Sequence, residues 1–275
     1  MIYYNNIKEM GRGTFGTIHL CERIHDKQKL VIKQIYLEDD GKQLKAAQNE
    51  VDILKSLNNP NIIKYYDNYY DRKGVFYIVM EFASKGTVQQ LIERERPNTF
   101  PPQYVMDLFC QMLMGLDHIH QHKVIHRDLK TENIFLTGLK GDVVKIGDFG
   151  ISKTLINGNK ASTIIGTCNY LAPELCNGNE YNSKTDIWAL GCVLYELCAM
   201  ERMFSGTVSN VVLSIASGRK KQVNTKMYGR QMQEIIDMML QANPDNRPTT
   251  KDLITDPDVF STLYALGPSL GCIDE

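Results

Sequence analysis

Apolar and polar positions change their period along this chain. Thr17-Ile-His-Leu-Cys21 and Leu30-Val-Ile-Lys33 are β-branched, apolar stretches separated by a turn-prone His25-Asp26-Lys27, and two more strands are predicted over Tyr65–Tyr70 and Val75–Glu81. Between these two pairs, Leu44, Ala47, Val51, Leu54 and Leu57 recur at helical spacing, which predicts an amphipathic helix over Asp40–Leu57 ending near Asn58-Asn59-Pro60. From Thr87 onward the periods are mainly helical, clearest over Tyr104–His122 and Asp186–Ala199. One short stretch, Asp142–Gly147, has instead the apolar content of a buried strand. Strands therefore dominate the first part of the chain and helices the rest, with no internal repeat or low-complexity tract.

The polar residues between these elements carry the chemistry. Asp128, Lys130 and Asn133 lie close together in His126-Arg-Asp-Leu-Lys-Thr-Glu-Asn133, and Asp148 follows after a predicted hairpin. Phosphoryl transfer from ATP calls for this set, because little covalent work falls to the protein and rate comes from aligning a hydroxyl and neutralising phosphate charge. Asp128 would accept or orient the hydroxyl proton and Lys130 would reach the γ-phosphate. Asn133 and Asp148 would hold Mg2+, which prefers a few hard oxygen ligands shared with phosphates and water. The bland alternative is a surface loop with scattered charges.

Gly11-Arg12-Gly13-Thr14-Phe15-Gly16-Thr17-Ile18 is ambiguous alone, since similar glycine spacing opens a dinucleotide-binding fold. In that fold the glycines enter a helix; here they enter a strand, so the run is expected to fold as a hairpin over phosphates. Lys33 alone reads as a surface lysine. Glu50, beside the apolar stripe of the predicted helix, changes that reading, because a carboxylate there is costly to bury unpaired. A Lys33–Glu50 pair would satisfy both charges and aim the ammonium at the α- and β-phosphates.

With these motifs the chain resembles a eukaryotic protein kinase from about Tyr4 to Phe260, adding Ala172-Pro-Glu174, Asp186-Ile-Trp-Ala-Leu-Gly191 and Arg247-Pro-Thr249 to those above. Ala46-Ala-Gln-Asn-Glu50, Thr131-Glu-Asn-Ile-Phe135 and Lys145–Lys153 are similar to the NIMA-related kinases, most of all their cilium-associated, RCC1-repeat-bearing branch. The resemblance implies an α+β, two-lobed protein-kinase fold. It divides the chain into an N-lobe over 1–80, β-rich with one regulatory helix, a hinge over 81–86, a mainly helical C-lobe over 87–260 and a short tail over 261–275. It implies ATP-dependent serine/threonine phosphorylation of protein substrates, with ATP and Mg2+ as cofactors. Met80 would be the gatekeeper, and the backbone of Glu81-Phe82-Ala83 would bond adenine. Ile18 and Val31 above and Phe135 below would sandwich the ring, with Gly147 leaving space on the other side. Thr167 would bridge Asp128 and Lys130.

Regulation is read by the same resemblance. Arg127 precedes the catalytic aspartate, and Thr163, with Ser162 beside it, stands where the family places its activating threonine, so an upstream kinase or autophosphorylation is expected. Cys168 replaces the usual proline after Gly166-Thr167. Tyr65 has two readings: core packing, or an inward posture that holds Glu50 off Lys33. Glu132 leaves two others open, since the family suggests an apolar residue upstream of the target hydroxyl while a carboxylate there suits a basic one. A kinase-shaped scaffold without catalysis is the competing class, but Lys33, Glu50, Asp128, Asn133 and Asp148 are all present.

Bulk properties narrow the class further. The 275 residues carry 31 Lys+Arg against 32 Asp+Glu, a net charge of −1, which gives no electrostatic footprint for nucleic acid or an anionic membrane. No apolar run reaches membrane length, and the first residues do not read as a secretory leader. Seven cysteines with no C-x-x-C pair read as reduced thiols. A cytoplasmic location follows as an expectation, with centrosome, cilium or cytoskeleton suggested by kinship alone.

Overall fold

The structure is a computed structural model and describes residues 3–13, 16–36, 48, 51–71, 74–148 and 168–267. Strands β1 (Tyr4–Gly13), β2 (Gly16–Arg23), β3 (Lys29–Ile35), β4 (Tyr65–Tyr70) and β5 (Phe76–Glu81) form one antiparallel sheet in the order β1-β2-β3-β5-β4. Between β3 and β4, Gln48 and residues 51–56 are helical (α1), as the apolar stripe predicts, and Val51, Leu54 and Leu57 are buried. Helices α2 (Val88–Glu95) and α3 (Pro102–Gln121) then precede a two-stranded sheet of β6 (Ile134–Thr137) and β7 (Val143–Ile146). The chain continues through α4 (Pro173–Cys176), α5 (Ser183–Ala199), α6 (Val208–Ala216), α7 (Thr225–Met239), α8 (Thr250–Ile254) and α9 (Pro257–Leu266). A β-rich lobe followed by a helical one is the α+β, two-lobed architecture expected.

Boundaries shift from the sequence reading where capping chemistry acts. Two residues before Tyr104, α3 starts at Pro102, whose fixed φ suits the first helical turn and whose missing N–H leaves no orphan donor. At the start of α5 the Asn182 side chain accepts from the N–H groups of Lys184 and Thr185, so helix begins before Asp186. From Thr185 to Cys198 every residue of α5 is buried, which makes it the central helix of its lobe. Helix α9 runs through the boundary expected at residue 260, and buries Val259 and Thr262.

The central strands of the larger sheet bury residues on both faces. Alternate residues of β5 go to opposite sides: Phe76 and Ile78 join the main core with α1 and the helical lobe, while Tyr77 and Val79 join Leu30, Ile32 and Cys21 in a smaller cluster. Tyr69 stacks on Tyr77 at 4.8 Å over that second face. Directly paired residues of antiparallel strands share a face, so the pairings Ile18↔Lys33, Val31↔Met80 and Lys33↔Ile78 place Ile18, Val31, Lys33 and Met80 together on the side of Phe76 and Ile78. Gly13 pairs with Gly16 at the β1–β2 turn. Gly16 has φ +152°, and a Cβ there would stand 1.6 Å from the Gln34 carbonyl oxygen, so no side chain fits. At Gly11 a Cβ would meet nothing within 4 Å.

Candidate active site

The loop between α3 and β6 is held from beneath by a buried carboxylate. Asp186, 2 % exposed on α5, accepts the His126 N–H at 2.9 Å and the Arg127 N–H at 3.1 Å, and its Oδ2 lies 2.9 Å from His120 Nε2. Two consecutive amides gripped in this way hold Arg127 at φ +68°, a left-handed conformation that a side chain seldom adopts without support. His126 is fully buried between fixed partners: Nε2 donates to the Gly147 carbonyl at 3.1 Å and Nδ1 accepts from the Asp128 N–H at 3.3 Å. A carbonyl must accept and an amide must donate, so the ring is the neutral Nε2–H tautomer. Burial pushes its pKa down, in agreement.

Asp128 sits at the centre of the polar set. Its Oδ2 accepts from Lys130 Nζ at 2.9 Å and from Asn133 Nδ2 at 2.9 Å, and Asn133 Nδ2 also reaches the Asp128 carbonyl at 2.8 Å. The 3-10 turn Thr131–Asn133 folds Asn133 back over Asp128, and the β6–β7 hairpin does the rest. Gly147 N–H donates to the Asn133 carbonyl at 3.0 Å, which sets Asp148 beside Asn133 as the hairpin predicts. Asp148 has φ +52°, a second left-handed side-chain-bearing residue in this small region. Its Oδ1 accepts from Lys33 Nζ at 2.9 Å, so the β3 lysine bridges the two lobes. Burial opposes charge on the Asp148 carboxyl, but the Lys33 ammonium outweighs it and holds the pKa below the usual carboxylate range.

The donor set fits a hard divalent cation. With its amide nitrogen turned toward Asp128, Asn133 has its carbonyl oxygen on the opposite side, and Asp148 is kept anionic beside it. Among the described residues no cluster of three or more His, Cys, Asp or Glu could hold a metal by itself.

Ile18, Val31, Met80 and Phe135 are each half-buried, and the first three share one face of the sheet. Glu81 lies at the end of β5 with its N–H donated to the Lys64 carbonyl at 2.8 Å, so that amide is not available to a nucleotide. Its carboxylate pairs with Lys145 at 3.0 Å and accepts the Lys64 N–H, so the side chain ties the hinge to β7. Ala83 is buried beyond it. The space expected beside Gly147 is already used: a Cβ there would stand 2.7 Å from Ile63 Cγ1 and 3.1 Å from Phe135 Cε2, so this glycine lets the Phe135 ring close in. Arg12 is exposed and lies 3.9 Å from Glu9. Tyr65 packs against the main core, its hydroxyl donating to Asn68 at 2.5 Å and the Lys55 ammonium 5.7 Å from its ring centre, which is the core-packed reading. Cys168 begins a buried 3-10 turn, Cys168–Tyr170. Thr14, Phe15, Glu50, Ser162, Thr163 and Thr167 lie outside the described residues.

Sequence reasoning left Asp186 and His126 without roles, and missed the pair beneath them. Arg247 donates to Glu174 through Nη1 at 2.8 Å and Nη2 at 2.7 Å, with the arginine side chain fully buried and the glutamate's 5 % exposed. Trp188 lies under the guanidinium at 5.0 Å, and Thr185 donates to the same carboxylate at 2.9 Å. A signal was available for Asp186, namely a carboxylate within a largely apolar helix.

This geometry is that of a protein kinase, and comparison with known proteins agrees. The protein kinase domain family model matches residues 4–258, so the chain belongs to that family. It is 40 % identical over 270 residues to the serine/threonine-protein kinase Nek8 of Danio rerio, covering 98 % of this chain and 38 % of that protein. Nek5 of Mus musculus is 38 % identical over 264 residues, 95 % of this chain and 41 % of its own length, and nekl-2 of Caenorhabditis elegans 37 % identical over 282 residues, 98 % and 78 %. The chain is a serine/threonine protein kinase domain of the NIMA-related, or Nek, family, and it spans about two fifths of the first two relatives. No described helix is long and apolar enough to cross a membrane.

Proposed function

We propose that this chain transfers the γ-phosphoryl group of ATP to serine or threonine hydroxyls of protein substrates. The observation that carries the reading is the meeting of Lys130, Asn133 and Asp128 on one carboxylate oxygen, with Lys33–Asp148 alongside. Asp128 positions the incoming hydroxyl and takes its proton, while Lys130 offsets charge on the transferred group. Lys33 anchors the α- and β-phosphates, with Glu50 as its second carboxylate and Gly11 to Gly16 covering the phosphates from above. Ile18, Val31, Met80 and Phe135 enclose the adenine, and the Ala83 backbone bonds its edge in place of the Glu81 N–H. Asn133 and Asp148 would hold Mg2+, which supplies charge neutralisation on the phosphates when bound. Thr167 bridges Asp128 and Lys130.

Regulation and setting belong to the same proposal. Phosphate on Thr163, or less effectively on Ser162, supplied by an upstream kinase or by autophosphorylation, orders the activation segment through Arg127. Kinship with the Nek family supports a cytoskeletal, centrosomal or ciliary role, and the RCC1-repeat-bearing branch within it. Asp128→Asn tests the chemistry: ATP binding persists, and phosphorylation of a generic serine/threonine peptide falls about 10²–10⁴-fold. Transfer at the unmodified rate would remove Asp128 from the mechanism.

A further inference from the structure

Two carboxylates converge beside the catalytic loop. Glu132 belongs to the 3-10 turn after Lys130, and Glu196, 1 % exposed, comes from α5. Arg202, just beyond α5, reaches both: Nη2 donates to Glu132 Oε1 at 2.8 Å, and Nε lies 3.8 Å from Glu196 Oε1. The second Glu196 oxygen accepts from the Tyr170 hydroxyl at 2.5 Å, and that hydroxyl is 2.8 Å from Thr131 Oγ1. Glu196 Oε1 itself is buried with no hydrogen-bond partner, so it faces the Arg202 guanidinium through charge alone. Burial raises the Glu196 pKa, the Tyr170 bond and Arg202 act against that rise, and the nearby Glu132 charge adds to it.

Arg202 is held in position by its own surroundings. Lys221 Nζ donates to the Arg202 carbonyl at 3.0 Å and pairs with Glu201 at 3.2 Å, while the following Met203 and Phe204 are buried. The Arg202 and Glu132 side chains are 30 % and 32 % exposed, so their pair lies at the rim where a peptide docking toward Asp128 can meet it. A cation already attached to the chain competes at a high effective concentration against one that arrives on a substrate.

We propose that Arg202 is a built-in occupant of an acidic subsite formed by Glu132 and Glu196, so that this kinase does not select a basic residue there. Glu132, which by sequence alone suits a basic substrate residue, is thereby neutralised from within. The proposal rests on the kinase reading and adds a determinant of substrate class to it. Taking away the guanidinium opens the subsite to arginine or lysine of a peptide.

The test uses a labelled serine peptide set with one arginine scanned through each flanking position, read by fluorescence anisotropy and, separately, by phosphorylation. The unmodified protein shows no arginine preference at any position. Arg202→Met, which keeps an apolar stem, binds the arginine form about threefold to tenfold more tightly at one position. That gain disappears in the Arg202→Met/Glu132→Gln double variant and is absent from Arg202→Lys. Glu132→Gln alone leaves arginine preference unchanged, an arm that decides the matter even if Arg202→Met folds poorly. An arginine preference of similar size in the unmodified protein, a loss of arginine-peptide binding in Glu132→Gln, or no gain in a well-folded Arg202→Met overturns the proposal. If no peptide is phosphorylated the kinase reading fails, and the anisotropy arm still decides on the subsite.

Discussion

The two ion pairs that flank the catalytic loop are built for opposite purposes. Lys33–Asp148 joins the lobes by an ammonium–carboxylate contact, the lysine side chain 14 % exposed and the aspartate side chain 45 % exposed. Glu174–Arg247 is a two-pronged pair with the arginine fully buried, further bonded to the Gln241 and Lys184 carbonyls and stacked on Trp188. A carboxylate half open to water is screened, so its pair with the ammonium adds less to stability than a fully buried one. A buried fork with every donor used cannot let go of one partner without stranding the other. Between them lies the loop itself, clamped from below by Asp186 and His126. The contrast assigns rigidity to the floor of the site and adjustability to its lobe-spanning edge.

The largest effect expected breaks the comparison at that edge. Lys33→Met should cut peptide phosphorylation about 10²–10³-fold, the range for removing one preorganised charge from a reacting site. Because the Asp148 side of the pair is half open to water, Tm should move by no more than about 2 °C. Rate and melting temperature measured on the same preparation check the claim. A large fall in Tm would mean that the lobe-spanning pair is structural after all.

Arg247→Met should do the reverse. Leaving Glu174 buried without its cation costs about 3–5 kcal/mol, and Tm should fall on the order of 10 °C. Glu174→Leu added to Arg247→Met should recover much of that loss, because removing both charges removes the desolvation problem. Denaturant unfolding of the three variants measures it. A double variant no better than the single one would mean that the arginine acts through its carbonyl bonds and Trp188 rather than through Glu174.

The same contrast explains what could be read in advance. The strand and helix assignments rest on local period and turn chemistry, and β2, β4 and the β6–β7 hairpin fall where alternation and apolar runs place them. The meeting of Asp128, Lys130, Asn133 and Asp148 was legible because a short loop and one hairpin determine it. Glu174–Arg247 and the Asp186 clamp join residues far apart in sequence, and no periodicity encodes such a pairing. Gly147 was misread for a related reason: the space a glycine leaves was assigned to a ligand, while the fold gives it to Phe135 and Ile63.

Acid should act on the floor before it acts on the edge. Burial works against the Glu174 carboxylate, but the Arg247 hydrogen bonds prevail and hold its pKa below the ordinary 4.5. A depressed carboxyl pKa gives stability that is present above the unfolded value and lost as pH falls through the folded one. His126 is depressed below its ordinary 6.5 by burial, and the unfolded chain therefore binds its proton first, with the same sign. Stability should be flat near neutrality, begin to fall below about pH 6.5, and fall more steeply below about pH 4.5. Tm measured across pH 3–8 for the unmodified protein and Glu174→Gln separates the two stages. The variant should weaken the lower stage, which the depressed Asp148 carboxyl shares, and an unchanged acid limb would show that Glu174 does not titrate with folding.

The smallest effect sharpens the comparison from the N-lobe side, where Tyr65 gives a third kind of contact. Its hydroxyl bonds Asn68 on its own strand and its ring packs against the core beside Lys55 of α1, so nothing in this arrangement reaches across to Asp148. Tyr65→Phe keeps the ring and deletes only the hydroxyl bond, which is part-buried and neutral, so the cost is about 0.5–1.5 kcal/mol with Asn68 able to turn toward water. Basal phosphorylation should stay at the unmodified level, since the lobe-spanning Lys33–Asp148 pair does not involve this side chain. Tyr65→Ala removes the ring as well, and by the core-packed reading it lowers Tm further without raising activity. Denaturant unfolding and peptide phosphorylation on both variants provide the check. A several-fold rise in basal activity in either one would mean that the tyrosine also visits an inward, inhibitory posture and belongs with the adjustable edge.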